Sequence, residues 1–289
     1  MRKDRRDQVL RVLALRSRGA AARTTSALEW PERLSGGLWW TSPDLVSLAG
    51  TEVFQSMPLD QQQALARHEA INFFSLNIHG ERLLAEGILR YLHREADPLR
   101  HAYLHHMLEE EIEHMATFSR FCERYHGGFY ESRYVPMPRE QSPREEALCF
   151  FAGILVFEER VDYYNRVNAA DPRVEPLVRE INRRHHEDEV RHLAFGRIIV
   201  RELVDEAQSA SDPRELERVR TYLRACVSAS RQEYTNPDVY RDAGLASPFA
   251  VRRVALASHS TQAREARALR RLHRVLSPMG LLDAGELHV

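Results

Sequence analysis

The sequence predicts an all-α protein built around a bundle of four long helices, and three observations carry that prediction. Apolar residues recur at helical rather than alternating spacing along almost the whole chain. β-branched runs bounded by turn residues, the mark of strands, are scarce. Punctuation at Pro58, Asp97-Pro98, Gly127-Gly128 with Pro136 and Pro138, and Asp171-Pro172 cuts the middle of the chain into stretches of helical length.

Taken in order, Met1 to Arg23 is Arg-rich but interrupted by Asp4 and Asp7, with no apolar segment or cleavage site of a signal peptide, and is expected to be a solvated or loosely docked helix. Pro31 and Gly36-Gly37 break the chain, and Ser42-Pro43-Asp44 has the form of a helix start. Pro58 followed by Leu59-Asp60 opens the first long helix, expected over about 59–94, and the other three are expected over 98–126, 142–169 and 174–208. Two further helices, about 213–234 and 248–276, have mixed apolar and Arg/Glu faces and are placed outside the bundle. The run Arg264, Arg267, Arg270, Arg271, Arg274 reads as a solvated face. No repeat or low-complexity linker interrupts the chain, so one domain over 1–289 with its core at about 59–208 is the economical expectation.

With 289 residues, 43% of them hydrophobic, the chain can bury a substantial core. Lys plus Arg number 41 against 42 for Asp plus Glu, so there is no overall field to attract nucleic acid or an anionic membrane, and neither partner is expected. No apolar run approaches the roughly 20 residues of a membrane-spanning helix. Three widely spaced cysteines, Cys122, Cys149 and Cys226, argue against a disulfide framework or a Cys-based zinc site and suit a reducing cytoplasm.

The most specific feature is His185, Glu189 and His192. At about 100° per residue, positions four and seven apart fall within about 40° of the first, so all three share one helix face. Val178 and Asn182 before them and Gly196, Ile199 and Leu203 after them make that face an inward stripe. Glu111 and His114, three apart, share a face continued by Leu104, Met107, Leu108, Met115, Phe118 and Cys122. Glu109, Glu110 and Glu113 fall on other faces and are expected to be solvent-exposed. Glu81 sits on the stripe Ile71, Phe74, Ile78, Ala85, Ile88, with Gly80 allowing a neighbouring helix to approach, and Glu158 lies three from Leu155 and Val161. Glu159 rivals Glu158, with nearly as good a register toward Val156 and Tyr163.

A lone Glu-x-x-His pair, or one histidine on an apolar face, is common without function. Two such sets on separate helices, with inward acids on the other two, instead predict cations at the bundle centre, because an unpaired buried carboxylate costs several kcal/mol; a helical scaffold without metal is disfavoured because it leaves those charges unpaired. A zinc site is one reading of His185, Glu189 and His192, but four carboxylates with three imidazoles suit a pair of iron or manganese ions better. Phe73, Phe74, Phe151 and Ile154 lie one or two turns from these residues and are candidates to line an apolar cavity, though plain core is the commoner role.

At these residues the chain resembles the di-iron arylamine N-oxygenases, ferritin-like helix-bundle enzymes whose best-known members turn p-aminobenzoate or a related arylamine into its nitro compound. That family draws a lone Glu, a Glu-x-x-His, a second Glu and a His-x-x-x-Glu-x-x-His from successive helices. This chain supplies Glu81, Glu111 with His114, Glu158, and His185 with Glu189 and His192 in that order. The extra histidine, His185, separates the family from ferritins, ribonucleotide reductase small subunits and soluble methane-type oxygenases. The resemblance covers the four core helices. It implies that Glu111 and Glu189 bridge two irons, that Glu81 and His114 complete one, and that Glu158, His185 and His192 complete the other, with manganese a substitute. It further implies O2 as cosubstrate, activated through a peroxo-diferric state, an external electron donor, and an amine substrate, free or carrier-bound, oxidised to hydroxylamine, nitroso or nitro product. A homodimer is compatible with this reading. The alternatives are a di-iron enzyme acting on C–H or C–C bonds, as hydroxylase or desaturase, and a ferritin-like iron store.

Overall fold

In a computed structural model, described here for residues 3–20, 28–132, 135–138, 141–209 and 212–283, the long helices form where the punctuation places them. In chain order the helices are α1 (Lys3–Ala20), α2 (Glu52–Ser56), α3 (Leu59–Leu92), α4 (Pro98–His126), α5 (Pro143–Ala170), α6 (Pro176–Gln208), α7 (Pro213–Glu233), α8 (Pro237–Asp242), α9 (Pro248–Ala257), α10 (His259–Ala268) and α11 (Arg270–Leu276). Among the described residues there is no strand; an isolated bridge joins Trp39 to Val174. No helix of the described residues is long and apolar enough to cross a membrane.

The starts are set by side chains that satisfy the free N–H groups of a first turn. Asp97 accepts from Leu99 and Arg100 ahead of α4, Ser142 from Glu145 ahead of α5, and Glu175 from Leu177 ahead of α6, each followed by a proline whose missing N–H costs nothing there. Helix α4 stops at Gly127, whose φ of 83° lies in the left-handed region that a residue without Cβ enters freely.

Helix α3 packs along α4 and α5 along α6, while α3 meets α5 and α4 meets α6, closing a four-helix bundle. Short connections join α3 to α4 and α5 to α6. After Gly127 the N–H of Tyr130 is held by Ser75 of α3, and at the start of α5 Glu146 pairs with Arg94 at 3.0 Å. Helices α7, α10 and α11 cover α5, α1 covers α4 and α6, and α8 lies against α3.

The interior is layered. One apolar cluster takes Leu84, Ile88, Leu104, Leu155, Leu193 and Ile199, and a second takes Leu65, Ile71, Phe74, Phe118, Val161 and Ile181. On each long helix the residues between these clusters are polar and buried: Glu81, then Glu110, Glu111 and His114, then Glu158 and Glu159, then His185, Glu189 and His192. Gly80 and Gly87 let α5 come close to α3, because a Cβ at either would meet the ring of Phe157 or Phe150.

Four expectations change. The N-terminal segment is a docked helix rather than a loose one, with Leu10 and Leu13 buried; burial of each leucine contributes about 2 kcal/mol. Its ends at Met1, Arg2 and 21–23 lie outside the described residues. Ser42 starts no helix: its hydroxyl accepts from the N–H of Asp44 and donates to Asp171 at 2.7 Å, and the following residues form turns. The segment 248–276 is three helices, broken where Ser258 turns extended and caps α10 through Thr261. Arg264 leaves the solvated face of its arginine run: it is buried and donates to the carbonyls of Val46 and Ser47.

Candidate metal centre

All seven side chains singled out in the sequence, Glu81, Glu111, His114, Glu158, His185, Glu189 and His192, meet in the polar layer. None exceeds 8% exposure, so the layer is closed to bulk water. His192 Nδ1 lies 2.8 Å from Glu111 and 3.2 Å from Glu189, and His114 Nδ1 lies 3.2 Å from Glu111 and 3.8 Å from Glu189. His185 Nε2 lies 3.0 Å from Glu189 and 3.2 Å from Glu81. Donor atoms converge in overlapping sets: Glu81, His114 and His185; Glu111, His114 and Glu189; Glu158, His185 and Glu189. His185 therefore faces both halves of the cluster, closer to Glu81 than the grouping with Glu158 and His192 implied by the resemblance.

The two rivals on α5 differ in their partners. Glu159 is buried and ion-paired with Arg197 through one oxygen, whereas Glu158 groups with His185 and Glu189 and both its oxygens lack a hydrogen-bond partner among the described residues. The same is true of both Glu81 oxygens, one oxygen each of Glu111 and Glu189, and His185 Nε2. For His185 Nε2 and Glu111 Oε1 the neighbours are near in distance but not aligned for hydrogen bonding. Atoms so placed point at a shared centre rather than at one another, which is the arrangement a cation fits.

The electrostatics carry the same message. Burial, with Glu189 and Glu111 adding to it, pushes the Glu158 carboxyl well above the usual range. Burial likewise raises Glu81 to about 7 against the pull of His185. Burial also acts on Glu189, but the imidazoles of His192 and His185 overcome it and hold Glu189 well below its ordinary value. His114 and His192 are raised well above theirs, burial being outweighed by the carboxylates around them. Four carboxylates crowded with three imidazoles in a dry layer cannot all be ionised without added positive charge.

Around the seven stands a set of residues that the sequence reading missed. Each imidazole presents one nitrogen inward and ties the other to a polar partner. His114 Nε2 meets Asp188 at 3.2 Å, His192 Nε2 meets Glu110 at 2.8 Å, and His185 Nδ1 meets the Asn165 amide at 2.9 Å. Arg191 joins two of these partners, donating to Glu110 and Asp188 at 2.6 Å each. Glu110 is therefore buried rather than exposed, Glu113 is half-buried, and Glu109 alone of that trio is exposed as expected. A signal was there: Glu110 stands four residues before His114, and Asn165 seven after Glu158, each within about 40° of a site residue on its helix.

Of the apolar candidates, Phe73 lines a small cleft between α3, α5 and α8, with a volume of about 20 Å3. Phe74 stacks on Phe118, whose ring stands edge-on to His185 at 5.0 Å, and Phe151 packs against Tyr91. Ile154 packs with the same apolar cluster as Phe151. A second histidine group, His68, His126 and Asp242, lies at the surface around the Tyr130 hydroxyl.

No curated protein matches the chain. Among solved structures, it is similar to R2-like ligand-binding oxidases. Two variants with anaerobically reconstituted Mn/Fe cofactor superpose with TM-scores of 0.52 and 0.53, each at 16% identity over 88% of this chain and 91% of the other. A third, with aerobically reconstituted metal cofactor after photoconversion, gives 0.52 at the same identity and coverage. At that identity the likeness is one of fold, a ferritin-like helical bundle. The model of the p-aminobenzoate N-oxygenase AurF family matches residues 3–280, nearly the whole chain including the polar layer, and the chain belongs to that family.

Proposed function

We propose that the chain is a non-haem di-iron oxygenase that transfers oxygen from O2 to the nitrogen of an amine. The observation that carries this reading is the set of partnerless carboxylate oxygens, with His185 Nε2 among them, converging in one buried layer. Glu81, Glu111, His114, Glu158, His185, Glu189 and His192 would hold two irons, or manganese as a substitute, their four carboxylates balancing the charge of two divalent ions. Held by these residues, a ferrous pair would supply reducing electrons for oxygen chemistry at the amine.

The protein's own part is positioning. Asp188 and Glu110 fix the rings of His114 and His192 with Nδ1 inward, and Asn165 fixes His185 with Nε2 inward. Such partners set both tautomer and orientation of a ligating imidazole. The apolar clusters on either side exclude water, which strengthens every charge interaction within the layer. The family match supports an amine as substrate, and turnover needs an external electron donor.

The test is anaerobic reconstitution with ferrous ion, a count of bound metal, admission of oxygen with the visible spectrum recorded, and product analysis on arylamines and alkylamines. Two irons per chain and hydroxylamine, nitroso or nitro products are expected. Iron loading far above two would instead indicate storage, and products oxidised only at carbon a different oxygenase; either result overturns the proposal.

A further inference from the structure

The surface group of His68, His126 and Asp242 is drawn from α3, the end of α4 and the end of α8, and its donor atoms lie within 4.8 Å of one another. It is separate from the polar layer. His68 stands 13 residues before Glu81 on α3 and His126 stands 12 after His114 on α4, about 18–20 Å along each helix. The Tyr130 hydroxyl fixes the chemistry of the group. Its one proton goes to Asp242 Oδ2 at 2.8 Å, because a carboxylate oxygen only accepts. His68 Nδ1, 2.9 Å from the same hydroxyl, must then be the N–H donor, which leaves the lone pair on Nε2. An imidazole tied at one nitrogen and bare at the other is held as a metal ligand is held, and the three imidazoles of the polar layer are tied in the same way. Tyr130 is itself buried and anchored by its backbone, its N–H donating to Ser75 and its carbonyl accepting from His79 Nε2 at 2.9 Å.

The other two donors are available. The His126 ring stands 5.4 Å from that of His68 and 5.3 Å from that of Tyr130, and it makes no hydrogen bond among the described residues. Asp242 pairs with no cation among the described residues, and its neighbour Arg241 is turned to Asp238. Both His126 and Asp242 are exposed, so they are free to draw in to the roughly 3.3 Å that separates ligands held about 2 Å from a tetrahedral ion. His126 also ends α4, where the last carbonyls of the helix carry partial negative charge and favour a cation. The opposing charge is Arg67, which is exposed and therefore largely screened by solvent.

We propose that His68, His126 and Asp242 form a further metal site, for one divalent ion of the zinc class, which pins α8 and the end of α4 to α3. Two imidazoles and a carboxylate are a donor set that such an ion takes, with water completing four-coordination. Magnesium and calcium, which prefer oxygen ligands, are excluded by the two imidazoles. The site does not depend on the oxygenase reading, because none of its ligands belongs to the polar layer.

The experiment counts Zn(II) on the full-length chain by competition with a chromophoric chelator, and repeats the count on His126→Ala and Asp242→Asn. Both side chains are exposed, so neither substitution touches the core. At micromolar free zinc the parent should bind one ion more than either variant, whatever number the polar layer takes. Tyr130→Phe removes the hydroxyl that orients His68 and should keep that ion while weakening it about 10–100-fold. His259→Ala, at an exposed histidine elsewhere, is the control and should leave the count unchanged. Zinc should also raise the urea midpoint of the parent more than that of His126→Ala, and Mg(II) should raise neither. Equal counts in the parent and His126→Ala, a difference that emerges only at millimolar zinc and so marks an adventitious ion only, or equal occupancy by Mg(II) would each overturn the proposal.

Discussion

Replacing Glu110 by Gln separates a positioning role from a merely structural one. The side chain keeps its shape but loses its charge, so the contact to His192 Nε2 at 2.8 Å passes from a carboxylate to an amide. Arg191 loses one of two carboxylate partners and keeps Asp188 at 2.6 Å and the Glu187 carbonyl at 2.9 Å. Since the guanidinium stays paired, the stability cost is that of one charge-assisted hydrogen bond, about 1.5–3 kcal/mol, rather than that of an orphaned buried charge. The larger effect falls on the metal: a ligating imidazole without its carboxylate partner loses both basicity and orientation, about 10–100-fold in affinity. Urea unfolding of the metal-free protein reads the first quantity, and anaerobic titration of Fe(II) or Mn(II) against a competing chelator reads the second. Glu109→Gln, at a side chain 69% exposed, is the control and should change neither. Affinity within threefold of the parent, with stability reduced by the full amount, would refute the positioning role and leave Glu110 as part of an ion-pair network.

Three more expectations follow from the packing and charges. Leu10→Ala should cost about 2–5 kcal/mol in denaturant unfolding, because Leu10 is fully buried where α1 covers α4 and α6; a change below 0.5 kcal/mol would mean that the helix is not docked in solution. Arg160→Met leaves Glu265 buried without its partner and should destabilise by about 3–5 kcal/mol, with Arg160→Met combined with Glu265→Gln recovering a good part; simple additivity in that cycle would show the pair to be uncoupled. Glu69 is raised from 4.5 to about 7 in the folded protein, so the folded state holds its proton more tightly, and stability declines as pH rises from 4.5 to 7. Glu69→Gln should therefore gain on the parent by on the order of 3 kcal/mol between pH 5 and pH 8, read by Tm, and a constant gap across that range contradicts the shift.

The sequence by itself determined the long helices and the identity of the inward residues, and the reason is local. Helical periodicity and punctuation act within a few residues, so Pro58, Asp97-Pro98, Gly127-Gly128 and Asp171-Pro172 divide the long helices with little help from the rest of the chain. An acid or imidazole on an otherwise apolar stripe is equally visible, as with Glu81 and the trio His185, Glu189 and His192. What only the tertiary structure decided is which polar residues at the edge of a stripe are inside. Glu158 and Glu159 are adjacent and both buried, and the presence of Arg197 opposite Glu159 is what gives them different partners. Glu110 is covered because α6 brings Arg191 and His192 against α4, and Arg264 because its helix folds back onto Val46 and Ser47. Those pairings join residues 38 to 218 positions apart. Periodicity along one helix carries no information about which charge stands on its neighbour.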